Sequence, residues 1–271
     1  MKLINSMTAF DQITNFIEER KSFVLEAGAG SGKTYTLIQT LNYLITHKSE
    51  ELKIANQKII CITYTNVAKN EIISRIEDNE LVLVSTIHEF LWNSIKQFQK
   101  QLKIELCKLN EINFEKDNSK GKTDSKYIEK LAERIDSVKK VEYNDSSFND
   151  FENGLIQHDD VIELARMMYE NYSLLTNVVS TKYPYVFVDE YQDTAGETVY
   201  CLIDCLLNRN KKIVIGFYGD SHQKIYDYGI GNLEKYYKSN GGLIELVNKE
   251  ENYRSSLSII NLLNNFRKNI K

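Results

Sequence analysis

Residues 27–34 read AGAGSGKT, a glycine-rich run that ends in a lysine and a threonine. The spacing is that of G-x-x-x-x-G-K-[ST], with Ala27 in place of the first glycine. Glycines let the backbone turn tightly and point its N–H groups inward, where they bind phosphate. We expect Lys33 to reach the β- and γ-phosphates and the Thr34 hydroxyl to ligate Mg²⁺. The pattern therefore predicts a nucleoside triphosphate site formed by Ala27, Gly28, Ala29, Gly30, Ser31, Gly32, Lys33 and Thr34.

A second group of reactive residues lies in FVDEYQD at 187–193, where two adjacent carboxylates follow an apolar run. Asp189, at the predicted strand tip, can hold Mg²⁺ through its water shell. Glu190 can orient and deprotonate an attacking water, as a general base in phosphoryl transfer to water must. Open α/β sheets bind their ligands at the carboxyl ends of the strands, so this position favours a catalytic pair over a solvated surface pair.

The elements that must position these residues follow from hydrophobic periodicity. Short continuous apolar runs predict buried strands at 23–27, 58–63, 81–86, 186–189, 212–220 and 242–247. Helical spacing predicts helices at 8–20, 34–47, 66–76, 195–208 and 255–269. Because strands and helices alternate, the connections are long enough for parallel pairing, and we predict an open, doubly wound α/β fold with a mainly parallel sheet.

The middle of the chain lacks strand-like runs. Helical stretches are predicted at 95–114, 126–141 and 160–178, separated by polar loops at 113–126 and 143–154. We therefore predict a discontinuous α/β domain, 1–94 and 181–271, interrupted by an α-helical insertion subdomain at 95–180.

Composition excludes several classes. The 271 residues carry a net charge of −4, so a strongly basic balance typical of nucleic-acid binding is absent, although a local groove can still be positive. No apolar stretch approaches the ~20 residues of a membrane helix, so we expect no membrane partner. Cys61, Cys107, Cys201 and Cys205 lack zinc-ligand spacing and are expected to be buried free thiols in the cytoplasm.

Together, AGAGSGKT and DEYQD resemble the UvrD/Rep/PcrA family of superfamily-one DNA helicases, and other motifs of that family follow in the same order. The resemblance covers nearly the whole chain and is weakest at 95–155. It implies a P-loop RecA-like ATP-binding domain, ATP and Mg²⁺ as cofactors and single-stranded DNA as partner. By resemblance, movement along DNA is 3′→5′.

The resemblance also implies roles for single residues. Gln12 would read the adenine edge, Tyr253 would stack on the nucleobase, and Gln223 and Arg254 would meet the γ-phosphate. The implied catalytic set is Lys33, Asp189, Glu190, Gln223 and Arg254. The implied DNA contacts are Thr63, Tyr64, Thr65, Asn66, Thr86, His88, Tyr226 and Tyr228. Base stacking on tyrosine tolerates any base, which a motor moving along DNA requires.

Departures from the family pattern are informative as well. Gly229 stands where many relatives have an arginine, and Ser221-His222 replaces the more usual pair in that loop. Family members continue into a second RecA-like domain with another arginine, whose loss can cost ~10³–10⁵ in turnover. Since the chain ends soon after Arg254, we expect it to be either a fragment or a lobe completed by another chain, and a second RecA-like lobe or a nuclease chain is the expected partner.

Three functional hypotheses stay open. The first is the ATP-binding lobe of a single-stranded-DNA motor, and the second is a stand-alone ATP-gated DNA-binding switch with little turnover. The third is another P-loop enzyme, such as a small-molecule kinase. A kinase needs an acceptor pocket, whereas DEYQD and GDSHQKIY favour water and DNA as acceptor and partner. Relatives work in repair, plasmid replication or phage defence, and the sequence does not choose among these.

Overall fold

A computed structural model describes residues 7–28, 30–121, 127–144, 150–226 and 229–249. The strands are β1 (Ser22–Ala27), β2 (Ile59–Thr63), β3 (Val82–Thr86), β4 (Glu142–Tyr143), β5 (Leu155–Ile156), β6 (Tyr185–Asp189), β7 (Val214–Gly219) and β8 (Ile244–Lys249). The α-helices are α1 (Ala9–Glu18), α2 (Lys33–Ile54), α3 (Asn66–Arg75), α4 (Ile87–Ile95), α5 (Gln99–Ser119), α6 (His158–Asn171), α7 (Ser173–Lys182) and α8 (Gly196–Tyr200).

Six strands form one sheet in the order β3-β2-β6-β7-β1-β8. Strand β1 pairs in parallel with β7 and β8, and β6 pairs in parallel with β2 and β7. Every residue of β2, β6 and β7 is buried, as expected for strands covered on both faces. The predicted α/β class with a mainly parallel sheet is confirmed.

The register of this sheet brings the chemically interesting strand ends together. Strand β7 lies between β1 and β6, with Gly219 level with Glu26 on one side and Tyr218 level with Asp189 on the other. The carboxyl ends of parallel strands meet at one sheet edge, where such folds bind ligands. The loops that follow β1, β6 and β7 therefore leave the sheet side by side.

Helix α2 is longer than its predicted span of 34–47. No glycine or proline follows within the helix, so nothing stops it before Ile54. Its middle and last turns are tied to the end of α1 by ion pairs, Lys48 to Glu18 at 2.8 Å and Arg20 to Glu51 at 3.1 Å. Its inner face packs with α1 and the sheet in a core that includes Ile13, Ile17, Phe23, Leu25, Leu37, Leu41, Leu44, Phe187 and Tyr218.

The chain divides into two compact units. The sheet unit comprises Met1–Ser85, Lys182–Ala195 and Lys211–Lys271, and the helical unit comprises Thr86–Thr181 and Gly196–Asn210. The grouping differs from the predicted bounds at both ends. Helix α4 and the stretch from α8 to Asn210 belong to the helical unit, because α6 packs against α4, α5, α8 and the π-helical turn Cys201–Leu207. Local periodicity cannot register such packing, since it depends on contacts distant in sequence.

The predicted helix at 126–141 is wrong. Within its described part, the chain forms two short 3-10 turns, Leu131–Glu133 and Ile135–Ser137, and Lys130 has a left-handed φ of 56°. The backbone N–H and carbonyl of Ile128 instead bond to the side chain of Asn110 in α5, at 2.9 and 2.6 Å. A tertiary hydrogen-bond pair thus replaces the helical bonds that the apolar spacing favours.

Other predictions have simpler outcomes. The predicted loop at 113–126 begins later, because α5 runs on to Ser119, and the predicted loop at 143–154 is flanked by the short strands β4 and β5, which pair in parallel. All four cysteines are buried and free, as predicted. The predicted helix at 255–269 lies outside the described residues. No helix in the described part of the chain is long and apolar enough to cross a membrane.

Candidate functional site

The phosphate loop joins the end of β1 to the start of α2, as its motif requires. Gly30 and Gly32 have φ values of 74° and 82°, a left-handed backbone that favours glycine. The Ser31 N–H donates to the Gly28 carbonyl at 3.1 Å, which closes the turn. Gly32 caps α2 without a side-chain hydrogen bond, so the first N–H groups of the helix are left for an external acceptor. Such a helix N-terminus attracts phosphate.

Lys33 and the two carboxylates at the end of β6 meet beside this loop. The Lys33 Nζ lies 3.1 Å from Oε2 of Glu190, and their side chains are 9% and 41% exposed. Asp189 is buried at the strand end. Burial, followed by the neighbouring charge of Glu190, raises the pKa of Asp189 to about 7, and the charge of Lys33 opposes this rise.

A cavity of about 510 Å³ opens in front of these groups. Its lining residues come from the phosphate loop, α2, α3 and the turns after β6 and β7, and they are Gly28, Gly30, Gly32, Lys33, Thr34, Tyr35, Glu71, Arg75, Glu190 and Gln223. The volume lies within the 300–1,000 Å³ range of small-molecule sites. The structure therefore brings the predicted residues Lys33, Thr34, Glu190 and Gln223 to one cavity.

Two buried oxygens in this region fit a phosphate ligand with its metal ion. Ser31 Oγ and Asp189 Oδ1 are both buried, and neither has a hydrogen-bond partner among the described residues. Buried polar atoms normally find partners, so both oxygens are suited to a ligand. The described residues contain no cluster of three or more His, Cys, Asp or Glu side chains that could hold a metal alone. A Mg²⁺ ion held by one carboxylate, one hydroxyl and substrate phosphates is consistent with this chemistry.

The turn after β7 is bonded to the turn after β6. The Gln192 amide donates to Oε2 of Glu190 at 2.9 Å, and its oxygen accepts from the Asp220 N–H at 3.1 Å. Asp220 in turn accepts from the Gln223 side chain at 2.6 Å. A continuous set of hydrogen bonds thus joins Glu190 to Gln223. Gln192 was not predicted as a site residue, because its role depends on the sheet register.

Among the described residues, the predicted DNA contacts of the sheet unit lie at the end of β2 and in the turns after β2 and β7. Tyr64 and Tyr226 stack on each other, with ring centroids 5.0 Å apart and planes inclined by 29°. Thr63 is buried and its hydroxyl donates to the Thr65 carbonyl at 3.2 Å, while the Thr65 hydroxyl caps α3 by accepting from Ala68 N–H. Asn66 is exposed at the start of α3. The two aromatic rings are the features of this surface best suited to bases.

The two predicted DNA residues in the helical unit have structural partners as well. Thr86 caps α4 in a capping box with Glu89. His88 stacks on His158 at a centroid distance of 4.3 Å, and His158 is hydrogen bonded to the Tyr143 hydroxyl. Burial, followed by the charge of His158, lowers the pKa of His88 to about 4. His88 is therefore neutral at physiological pH and offers a ring face rather than a charge.

Several predicted residues lie elsewhere. Gln12 is in α1, where its amide donates to the Met7 carbonyl at 3.4 Å, and it is not among the described residues that line the cavity. The structure explains why a glycine occupies position 229, because a Cβ there would lie 2.4 Å from the Gln192 carbonyl oxygen. A side chain at this position would require the backbone to move. The predicted residues outside the described ranges are Ala29, Tyr228, Tyr253 and Arg254.

The cavity also contains residues that were not predicted. Glu71 and Arg75 are spaced i, i+4 on α3 and form an ion pair at 2.6 Å. Tyr35, which directly follows Thr34, is 59% exposed. The i, i+4 charge pair of α3 was visible in the sequence, but only the fold shows that this helix face borders the phosphate loop.

A parallel α/β sheet with a phosphate loop after β1 and an acidic pair after β6 defines a P-loop nucleotide-binding protein. The chain belongs to the family described as "AAA domain", whose model matches residues 11–228.

Individual relatives support a more specific class. The chain is 31% identical to the Gabija protein GajB of Bacillus cereus, over 96% of this chain and 49% of that protein. It is 26% identical to the ATP-dependent DNA helicase PcrA of Staphylococcus epidermidis, over 89% of this chain and 37% of that protein. It is also 26% identical to the ATP-dependent DNA helicase Rep of Buchnera aphidicola, over 88% of this chain and 41% of that protein.

These matches confirm the resemblance to UvrD/Rep/PcrA-type helicases. The chain spans at most about half the length of these curated relatives.

Proposed function

We propose that the chain is the ATP-binding and ATP-hydrolysing lobe of a single-stranded-DNA translocase or helicase, with 3′→5′ movement by resemblance. One observation carries the proposal. The phosphate loop, Glu190 and Gln223 border a single cavity, and the buried Asp189 beside them has an oxygen with no hydrogen-bond partner among the described residues. A catalytic site for phosphoryl transfer to water needs a cationic phosphate contact, a metal-binding carboxylate and a general base.

Each residue has a distinct part in the proposed reaction. Lys33 exchanges its contact with Glu190 for the β- and γ-phosphates of ATP. Glu190 then accepts a proton from water as the water oxygen bonds to the γ-phosphorus and the β–γ bridging bond breaks, releasing ADP and phosphate. Thr34 and Asp189 would hold Mg²⁺, which neutralises charge on the phosphates. Gln223 lines the cavity from the turn after β7, and its proposed part is to sense the γ-phosphate.

The proposed DNA site is next to this machinery in the sheet unit. Tyr64 and Tyr226 offer two ring faces, and the turn that carries Tyr226 is bonded to the turn after Glu190, because the Ile225 N–H donates to Asp193 at 2.8 Å. Base stacking is worth ~1–3 kcal/mol per base and tolerates any sequence. We propose Thr63, Thr65 and Asn66 as further DNA contacts of the sheet unit. Thr86 and His88 are proposed as DNA contacts of the helical unit. The proposed protein contact is with a second RecA-like lobe, in the same polypeptide or in another, or with a nuclease chain.

ATP hydrolysis, measured with and without single-stranded DNA at low and moderate salt, tests the proposal. We expect DNA to stimulate turnover, the stimulation to weaken with salt, and Lys33→Ala to abolish it. ATP-dependent DNA affinity without turnover would support the stand-alone switch instead. An ATPase that is indifferent to DNA would contradict both DNA-linked functions and favour a different P-loop enzyme.

A further inference from the structure

Glu26, the residue immediately before the phosphate loop, accepts three hydrogen bonds from distant parts of the chain. Its Oε1 accepts from the hydroxyls of Tyr191 and Tyr237, the second at 2.9 Å. Its Oε2 accepts from the backbone N–H of Ser221 at 3.2 Å. A carboxylate that accepts several charge-assisted hydrogen bonds is a strong and directional anchor.

Two of these donors belong to turns that carry proposed nucleotide contacts. Tyr191 directly follows Glu190, and Ser221 begins the turn that contains Gln223. Glu26 itself directly precedes Ala27, the first residue of the phosphate loop. One side chain is therefore bonded to both turns that must be placed correctly against a phosphate held by the loop.

The turn after β6 needs an external restraint. Glu190 has a left-handed φ of 48°, a conformation that non-glycine residues adopt only when their surroundings impose it. Tyr191 supplies the anchor, because its ring is fully buried and packs edge-on against Phe217, with centroids 6.2 Å apart. Gly219 leaves room for this ring, since a Cβ there would lie 2.4 Å from it. The hydrogen bond to Glu26 fixes the polar end of the same side chain.

Both tyrosines stay hydrogen-bond donors over the physiological range. Burial, followed by the negative charge of Glu26, raises the pKa of Tyr191 and of Tyr237 far above the ordinary value. Their hydroxyls therefore keep their protons, and the carboxylate keeps its donors while nucleotide binds and leaves.

We propose that Glu26 is a positioning residue for ATP hydrolysis, which holds the turns of Glu190 and Gln223 in register with the phosphate loop. This inference rests on the proposed ATP site. It assigns to Glu26 no contact with substrate. Its predicted effect is on recognition of the γ-phosphate and on turnover, and not on binding of the diphosphate part of the nucleotide, which the phosphate loop holds.

Glu26→Gln tests this role with little change in shape. A glutamine has one acceptor oxygen and one donor nitrogen, so it loses the acceptor for Ser221 or the acceptor for the tyrosines. The measurement is the affinity of the full chain, with Mg²⁺, for ADP and for the non-hydrolysable ATP analogue adenylyl-imidodiphosphate. We expect the preference for the analogue over ADP to fall about tenfold, with ADP affinity within about twofold of wild type.

Two further variants sharpen the test. Tyr237→Phe removes one donor and leaves the carboxylate intact, so we expect a smaller loss of preference, about threefold, even if Glu26→Gln fails to fold. Tyr172→Phe is the matched control, because Tyr172 donates to the buried Glu105 at 2.8 Å within the helical unit. It should lower thermal stability and leave both nucleotide affinities unchanged.

The outcomes separate this inference from the proposed function. Wild-type preference in both Glu26→Gln and Tyr237→Phe, or an equal loss of ADP and analogue binding, would overturn the role of Glu26 alone. A wild-type chain that binds both nucleotides without preference would also overturn it. A wild-type chain without nucleotide binding that depends on Lys33 would refute the proposed ATP site, and the Glu26 inference with it.

Discussion

The ammonium of Lys33 lies 3.1 Å from a carboxylate oxygen of Glu190, so the phosphate-loop lysine and the proposed general base form an ion pair. Lys33 is nearly buried, whereas Glu190 is partly exposed toward the cavity. A triphosphate that draws Lys33 to its β- and γ-oxygens must break this pair. Breaking it frees the carboxylate of Glu190 to accept a proton from water.

Glu190→Gln separates the two roles of this pair. The amide cannot act as a base, so we expect hydrolysis to fall ~10²–10⁴-fold. Lys33 loses its anionic partner, so ATP binding should be retained or strengthened. Single-turnover hydrolysis and titration calorimetry on the same preparation measure both effects. Hydrolysis at the wild-type rate would remove Glu190 from the mechanism.

The raised pKa of Asp189 predicts a specific dependence of the free energy of unfolding on pH. Its pKa of about 7 in the folded chain lies above the ordinary value of 3.8, so the folded state holds this proton more tightly than the unfolded state does. The stabilising contribution is complete below about pH 4 and is lost as the pH rises through 7. Denaturant unfolding between pH 4 and 8 should therefore show a steeper decline for wild type than for Asp189→Asn. Parallel curves for the two proteins would contradict the raised pKa.

Gly216 and Gly219 of β7 provide a test variant and its matched control, because an alanine at either position would clash with an aromatic ring. A Cβ on Gly216 would lie 2.6 Å from the Phe23 ring, and one on Gly219 would lie 2.4 Å from the Tyr191 ring. Either alanine variant should lose ~1–3 kcal/mol of stability through overpacking. We expect only Gly219→Ala to lose the preference for an ATP analogue over ADP, because only its clash moves the turn after Glu190. Equal nucleotide preference in both variants would show that the turn after Glu190 does not set the preference for an ATP analogue over ADP.

The stacked pair Tyr64 and Tyr226 predicts how the chain binds DNA. Alanine at either position should weaken binding of a single-stranded oligonucleotide by ~1–3 kcal/mol, because it removes a ring face on which a base would stack. Tyr64→Phe keeps the ring and should bind as wild type does. Fluorescence anisotropy with oligothymidylate measures all three variants. Unchanged affinity in both alanine variants would place the DNA elsewhere.

Much of the sheet unit was predictable because its signals are local. Continuous apolar runs predicted the strands, and the spacing of glycines, lysine and threonine predicted the phosphate loop between β1 and α2. The predicted span 58–63 corresponds closely to β2, since burial on both faces leaves no polar alternation to confuse the pattern. Lys33, Thr34, Glu190 and Gln223 share a cavity because the strand ends that carry them share an edge.

The remaining features depend on contacts between residues far apart in sequence. Apolar spacing at 126–141 favours a helix, yet the Asn110 side chain takes the backbone bonds of Ile128. Nothing in the sequence marked Glu26 as a site residue, because its hydrogen-bond partners depend on its position opposite Gly219 in the sheet. Bonds of this kind follow from register and side-chain packing, which no periodicity encodes.

We propose that a nucleoside triphosphate binds at the phosphate loop and that this binding governs contact with DNA. Titration of the 271-residue chain with Mg²⁺ and an ATP analogue, with and without single-stranded DNA, tests it most directly, with Lys33→Ala in parallel. We expect saturable nucleotide binding that Lys33→Ala removes, and an affinity for DNA that changes when the analogue is bound. Undiminished nucleotide binding by Lys33→Ala, or DNA affinity that is identical with and without nucleotide, would contradict it.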